Sequence, residues 1–252
     1  MRLKFTVVTV VYNAEKVIKK TIESVLNQSY AVYEYLIFDG LSSDNTLEVV
    51  NGYADAFAAK GIRYKVVCEK DTGIYNAMNK GVDAATGDFI SFLNAGDWYE
   101  PDAVESVQKL YDEEAFDLTY GGLHYIKADG TITNKMSKLD TFPVSSRHWN
   151  HPSMFLKSEI HKQNHFNESF CAYADFDLYL KLRKSGTKIR ILNKIVTNFM
   201  ADGLSTDANI IKVLARSKEK YRAYVENGYS RIYWLESYGW EMMKAVYLRL
   251  HS

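Results

Sequence analysis

The chain alternates between two hydrophobic rhythms over its first hundred residues. Phe5–Val11 is a continuous, β-branched apolar run, as expected of a strand buried on both faces. From residue 14 to about residue 28 the apolar positions Val17, Ile18, Ile22, Val25 and Leu26 recur at helical spacing instead. The alternation then repeats. Residues 33–38 predict a strand, and a helix carrying Leu47, Val49 and Val50 follows, with Ser43 or Asp44 as its cap. Residues 62–67 predict a third strand, 73–85 a third helix and 88–93 a fourth strand. Strands separated by helices predict βαβ units with right-handed crossovers. The expected fold is therefore α/β, a mostly parallel central sheet flanked by helices.

Beyond Asp97 the rhythm changes. Residues 102–113 read as a helix. Residues 118–121 and 123–133 read as strands, the latter holding a hairpin turn at Asp129-Gly130. Residues 135–150 are polar with weak periodicity, a length that suits a functional loop. An amphipathic helix is expected at 175–184, and two strands at 188–192 and 195–200. From Asn209 onward the pattern predicts two helices broken near Asn227-Gly228. No internal repeat is visible. The simplest division is one domain over residues 1–206, in two halves (1–100 and 101–206) that differ in rhythm, with a C-terminal helical appendage over 207–252.

Composition narrows the classes. Of 252 residues, 31 are basic and 31 acidic, so no global field argues for nucleic acid. Two cysteines, Cys68 and Cys171, form neither a disulfide framework nor a metal-ligand pattern, and suit a reducing compartment. The first residues lack the apolar core of a secretion signal, and no run approaches the ~20 apolar residues that span a bilayer. These features predict a cytoplasmic location. The 19 tyrosines suit a dense core or a sugar-facing surface alike.

The chemistry gathers at strand ends. The first strand runs out into Tyr12, Asn13 and Glu15, the second into Asp39-Gly40-Leu41-Ser42, and the fourth into Asn94, Gly96 and Asp97. In an open parallel sheet these ends converge on one crevice, where ligands bind. Asp39 could accept a hydrogen bond from a base N–H, and Ser42 with the following backbone amides could hold a hydroxyl or phosphate. The alternative is three independent helix caps, Asp97 among them. The first strand is followed by neither the dinucleotide glycine fingerprint nor a phosphate-binding loop ending in Gly-Lys-Ser/Thr, which excludes those enzyme classes.

Four motifs occur in a fixed order: Thr6-Val-Val-Thr-Val-Val-Tyr-Asn-Ala-Glu15, Phe38-Asp-Gly-Leu-Ser-Ser-Asp-Asn-Thr46, Gly73-Ile-Tyr-Asn-Ala-Met-Asn-Lys-Gly81 and Ala85-Thr-Gly-Asp-Phe-Ile-Ser-Phe-Leu-Asn-Ala-Gly-Asp97. The set resembles family 2 glycosyltransferases of the branch that builds bacterial surface polysaccharides. The resemblance resumes at His151-Pro-Ser-Met-Phe155 and Tyr173-Ala-Asp-Phe-Asp-Leu-Tyr-Leu-Lys-Leu182. It implies the nucleotide-diphosphosugar fold called GT-A, a nucleotide-diphosphosugar donor, most simply a UDP-sugar, and a glycan or polyprenyl-linked acceptor.

By the same resemblance, Thr9, Tyr12, Asn13 and Glu15 would line the base and ribose pocket, with Asp39 on the base N–H and Ser42 beside it. Asp71, Gly73 and the helix to Asn79 would border the nucleotide and its phosphates. Residues 94–97 would form the metal motif, with Asn94 near the donor and Asp97 as ligand to a divalent metal, Mn or Mg. The usual carboxylate before Asp97 is replaced by Gly96. Asp175 would be the base that activates the acceptor, although the Glu that normally precedes it is Ala174. Asp177 is the runner-up, and a helix cap is the alternative for Asp175. His151 and Trp98 would face the acceptor.

Two rivals follow from the departures. A sugar nucleotidylyltransferase would need a basic, glycine-rich loop where this chain has Tyr12-Asn-Ala-Glu15. A non-catalytic nucleotide-sugar-binding protein is suggested by Gly96 and Ala174. At the C-terminus, Ile232, Tyr233, Trp234, Leu235, Trp240, Met242, Met243, Val246, Tyr247, Leu248 and Leu250 mix with Arg231, Lys244 and Arg249. Such a helix suits peripheral contact with the inner face of a membrane, or packing on the domain or on a second subunit.

Overall fold

The computed structural model describes residues 2–140, 142–201, 209–239 and 243. Nine strands form one sheet in the order β3-β2-β1-β4-β8-β6-β9-β5, with β7 paired to β6. The N-terminal half is β1 (Phe5–Val11), β2 (Glu34–Asp39), β3 (Arg63–Cys68) and β4 (Phe89–Phe92), all mutually parallel. The helices between them are α1 (Ile18–Leu26), α2 (Thr46–Asn51), α3 (Ala54–Ala59) and α4 (Ile74–Ala84). The α/β architecture thus stands as expected, and β1 lies between β2 and β4, where the strand order reverses.

The second half turns the sheet from parallel to mixed. Its strands are β5 (Trp98–Tyr99), β6 (Leu118–Ile126), β7 (Ile132–Lys135), β8 (Met154–Lys157) and β9 (Ile189–Met200). β8 joins the halves by pairing antiparallel to both β4 and β6, while β9 runs parallel to β6. Helices α5 (Ala103–Glu113), α6 (Ser158–Gln163), α7 (Ala174–Lys184) and α8 (Ile210–Glu226) complete the chain.

Side-chain alternation along the strands explains the two cores. On β1 and β2, Val8, Val10, Leu36 and Phe38 face a cluster built with Tyr75, Met78 and Val82 of α4 and Phe176 and Leu180 of α7. Phe5, Val7, Val11, Tyr35 and Ile37 face the opposite cluster, with Ile18, Ile22 and Val25 of α1 and Val104 and Val107 of α5. Both strands are buried on both faces, so their sequences are mostly apolar or β-branched, with Glu34 and Asp39 at the ends of β2. Helix α4 approaches β1 closely at Gly81, where a Cβ would lie 2.5 Å from Val8 Cγ1.

Several elements differ from the sequence pattern. Helix α1 starts at Ile18, because residues 15–17 form a turn. Asn45, not Ser43 or Asp44, precedes α2, although Asp44 Oδ1 accepts from Thr46 N at 3.0 Å. The expected strands at 188–192 and 195–200 are one bulged strand, β9, because both pair along the same edge of β6. The strand expected over 118–121 likewise runs on through Gly121-Gly122 into β6. α3, β5, β8 and α6 carry too few residues to show a period.

α8 opens at Asn209, whose side chain accepts from Ile211 N at 3.0 Å. It packs on α7: Tyr224 meets Phe176 edge-on and stacks on Tyr233 at 4.2 Å. A buried ion pair, Lys220 Nζ to Glu236 Oε2 at 2.7 Å, fastens the following turn. Tyr233 is buried while Ile232, Trp234 and Leu235 are more than half exposed. The boundary at 206/207 and the apolar and basic positions Trp240, Met242, Lys244, Val246, Tyr247, Leu248, Arg249 and Leu250 lie outside the described residues. Among the described residues, no helix is long and apolar enough to cross a membrane.

Candidate active site

The loops after β1 and β2 are stitched to each other. Asn13 adopts the left-handed region (φ 49°), which Asn tolerates when its side chain is locally bonded. Its Oδ1 accepts from Ser43 N at 2.8 Å, and its own N–H donates to Ser42 Oγ at 2.8 Å. Ser42 Oγ and N–H donate in turn to the two oxygens of Asp39, at 2.5 and 2.8 Å. Glu15 Oε2 accepts from Asn45 N at 2.9 Å. The fold thus brings Asn13, Glu15, Asp39 and Ser42 together, with Tyr12 exposed beside them.

Two placements correct the expectation. Thr9 is fully buried; its hydroxyl donates to Leu93 O at 2.6 Å and shares a hydrogen bond with Tyr35, so it braces β1 against β4 rather than lining a pocket. Asp39 is only 1% exposed and is engaged by Ser42 and by the Cys68 thiol at 3.3 Å. It therefore holds the loop in this structure, and a base N–H would reach it only at its remaining lone-pair site. Asp71 accepts from Lys80 Nζ at 2.7 Å, and Gly73 lies just before α4, with its carbonyl accepting from Asn76 N.

Beside these loops opens a cleft of about 520 Å³ between the two halves. Asn94 and Asp97 reach it from the end of β4, Asp175 from α7, and Trp149, Asn150 and His151 from the loop before β8. Lys135, Arg147 and Arg216 bring positive charge to its wall. Trp98, expected on the acceptor side, does not line the cleft; its ring lies beneath Lys20 Nζ on the α1 side. The aromatic lining comes instead from Tyr75, Tyr125, Trp149, Tyr173 and Phe199.

Asp175 is not a helix cap. The cap position of α7 is Tyr173, and the Asp175 carboxylate turns into the cleft, where Oδ1 accepts from Tyr75 OH at 3.2 Å and Oδ2 from Trp149 Nε1 at 3.1 Å. Burial, and then the neighbouring Asp175, push the Tyr75 phenol well above its usual range, so it remains a donor. The two donors fix the carboxylate and leave other lone pairs for a substrate hydroxyl. Asp177 faces away and accepts from Asn227 Nδ2 at 2.6 Å; burial raises its pKa. Trp149 and Tyr75 escaped the sequence reading, although Tyr75 lies inside a quoted motif and Trp149 stands two positions before His151.

Asp97 is not a helix cap either. It is 5% exposed, and its Oδ1 accepts from Met200 N at 2.9 Å. Thr21 clamps the turn by donating to Asp97 O at 2.7 Å and accepting from Gly96 N at 3.0 Å. Gly96 has φ +100°, a conformation that disfavours any side chain, so the missing carboxylate matches the backbone. Among the described residues, no three His, Cys, Asp or Glu gather as a metal cage. The oxygens of this turn are those of the Asp97 carboxylate and Asn94 Oδ1, the latter buried without a partner among the described residues. That pair suits a hard cation that draws its other ligands from substrate phosphates.

His151 lies against Phe92 at 5.9 Å, and its Nε2 is buried without a partner among the described residues. Burial lowers its pKa against the opposing pull of Asp175. His161, fully buried beside Phe92 and Phe166, is pushed down by burial to about 3 from 6.5. Both rings are therefore neutral in the folded chain near pH 7. As pH falls below 6.5, the unfolded chain binds protons that the folded chain refuses, so stability falls. The expected slope from His161 is ~1.4 kcal/mol per pH unit once the unfolded imidazole is charged, and His151 acts in the same direction. Urea midpoints measured from about pH 7 to about pH 5 should decline, and less steeply in His161→Leu. Unchanged midpoints would refute the assignment.

Residues 6–183 match the sequence profile described as glycosyl transferase family 2. Hyaluronan synthase from Pasteurella multocida is 29% identical over 229 residues, covering 87% of this chain and 22% of that protein. The chain spans between about a fifth and a third of the length of the first curated relatives it matches. Among solved structures, S. aureus TarS 1-349 in complex with UDP superposes with TM-score 0.69 at 16% identity, over 95% of this chain and 71% of the TarS 1-349 chain. The mannosyltransferase PcManGT from Pyrobaculum calidifontis, in complex with GDP-Man and Mn2+, gives TM-score 0.69 at 13% identity, over 98% of this chain and 74% of its own. At these identities the two structures establish the shared fold.

Proposed function

The chain belongs to glycosyl transferase family 2, and from that premise we propose that it transfers a sugar, with inversion, from a nucleotide-diphosphosugar to a hydroxyl of a glycan or lipid-linked acceptor in bacterial polysaccharide synthesis. The observation that carries this reading is the Asp175 carboxylate, held by Tyr75 and Trp149 in the same cleft that receives Asn94 and Asp97 from β4.

The acceptor hydroxyl is a weak nucleophile near neutral pH. Asp175 takes its proton as the oxygen bonds to the anomeric carbon. The bond from that carbon to the diphosphate oxygen breaks, and its electron pair leaves with the nucleoside diphosphate. Base and leaving group stand on opposite sides of the sugar, so the anomeric configuration inverts, as in other single displacements. Asn13, Glu15, Asp39, Ser42, Asp71 and Gly73 are the proposed nucleotide side, with Tyr12 as a ring against the base. Asp97 and Asn94 would hold a divalent cation, Mn or Mg, which when bound offsets charge on the leaving diphosphate. Lys135, Arg147 and Arg216 supply fixed positive charge to the same cleft. UDP is the proposed nucleotide, as the motif resemblance implies; TarS in complex with UDP and PcManGT in complex with GDP-Man both share the fold. The exposed Ile232, Trp234 and Leu235 suit a lipid-linked acceptor presented at the cytoplasmic face of a membrane.

Calorimetric titration with UDP, GDP, CDP and ADP, each with and without Mn2+, tests the donor site. UDP should bind, and more tightly with the metal. Binding of none of the four would exclude a nucleotide-sugar site.

A further inference from the structure

We infer that Asn150 determines which acceptor sugar the cleft takes, its Oδ1 accepting a hydrogen bond from one hydroxyl or acetamido N–H of the acceptor ring. This rests on the glycosyltransferase reading above.

Asn150 is 2% exposed and lines the cleft. Its amide nitrogen is tied on the other side, donating to Ser137 Oγ at 2.9 Å, Gly121 O at 3.3 Å and Lys135 O at 3.4 Å. Those three acceptors are backbone and side-chain oxygens of the β6–β7 region, so the network assigns nitrogen and oxygen without ambiguity. Ser137 is itself fixed, because its hydroxyl donates to Gly121 O. The amide therefore cannot rotate to hide its oxygen. Oδ1 is left buried with no partner among the described residues. An acceptor in that state is unfavourable until a donor reaches it. Tethering the β6–β7 region uses only the N–H groups, so the tether does not account for the oxygen.

The position indicates which sugar is read. Asn150 follows directly on Trp149, whose indole N–H holds Asp175 Oδ2. A hydroxyl that surrenders its proton to Asp175 belongs to a ring lying against this pair. The nucleotide-side loops after β1 and β2 contribute none of the cleft-lining residues. A fixed, buried acceptor rejects rings lacking the matching donor far more strongly than an apolar wall can, because the mismatch leaves the oxygen unpaired.

Saturation-transfer NMR on the full chain with UDP present tests the inference, using methyl glycosides of a hexose, an N-acetylhexosamine and a hexuronic acid, with their monodeoxy or desacetamido analogues. One parent should bind wild type about 10-fold or more tightly than one of its analogues. In Asn150→Ala the parent should weaken to the level of that analogue. A merely structural role would weaken both alike and keep the ratio, which overturns the inference, as does failure of every glycoside to bind wild type. Should Asn150→Ala not fold, Ser137→Ala removes one anchor of the amide, and an unchanged ratio there overturns it equally. Titration of UDP into the same samples separates the two levels. UDP binding with an unchanged ratio removes Asn150 alone, whereas no UDP binding removes the glycosyltransferase reading.

Discussion

Asp175→Asn lowers sugar transfer by about 10²–10⁴-fold while nucleotide affinity stays near that of the unaltered chain. Asn keeps the shape of Asp and an oxygen to accept from either Tyr75 or Trp149, but it cannot take the acceptor proton. The loss therefore falls on turnover. The residue lies on α7, away from Asn13, Ser42 and Asp39, which explains why UDP binding is spared. Asp177→Asn is the matched control, because that side chain faces Asn227 and α8. Initial rates together with calorimetric Kd values for both variants decide the matter. Near-normal transfer by Asp175→Asn would remove it from the base role, and a large loss in Asp177→Asn alone would move the role there.

Asp97→Asn abolishes the Mn2+-dependent part of nucleoside diphosphate affinity and lowers transfer by about 10²-fold or more. The amide oxygen can still accept from Met200 N, so the end of β9 stays anchored and the change isolates the charge. Asp97→Ala would also remove the acceptor of that part-buried N–H, adding instability unrelated to metal. With glycine at position 96, Asp97 is the carboxylate of this turn, and Asn94 supplies only a neutral oxygen. Paired titrations with and without Mn2+, on wild type and Asp97→Asn, give the comparison. Equal metal enhancement in the two proteins would place the cation elsewhere.

Much of the first hundred residues was legible because its strands are parallel and β1, β2 and β4 are buried on both faces. β1 carries seven apolar or β-branched residues in succession, and α4 shows the period of one buried face. Local pattern and tertiary environment agree there, so the strand boundaries fall within a residue, while α1 starts four residues later than its pattern. The second half was harder for a physical reason. β5 has two residues and β8 has four, too short for any period, and both exist only because a partner strand already stands beside them. β9 looked like two strands because a bulge opposite Gly121-Gly122 interrupts its alternation.

By itself, the sequence determined the family, the α/β architecture and the ordered motifs at the strand ends, because these depend on contiguous residues and on the pitch of helix and strand. It also marked Asp175 and Asp97 as candidates. Tertiary structure decided what those groups touch. It paired Asp175 with Tyr75, 100 residues away, and with Trp149 across the cleft. It withdrew Thr9 into the β1–β4 seam, put Trp98 under Lys20, and left the oxygens of Asn94 and Asn150 buried without partners among the described residues. Such outcomes rest on the direction of a side chain relative to elements distant in the chain. Hydrophobic periodicity specifies which face of an element is buried, and says nothing of which polar atom meets which across a cleft.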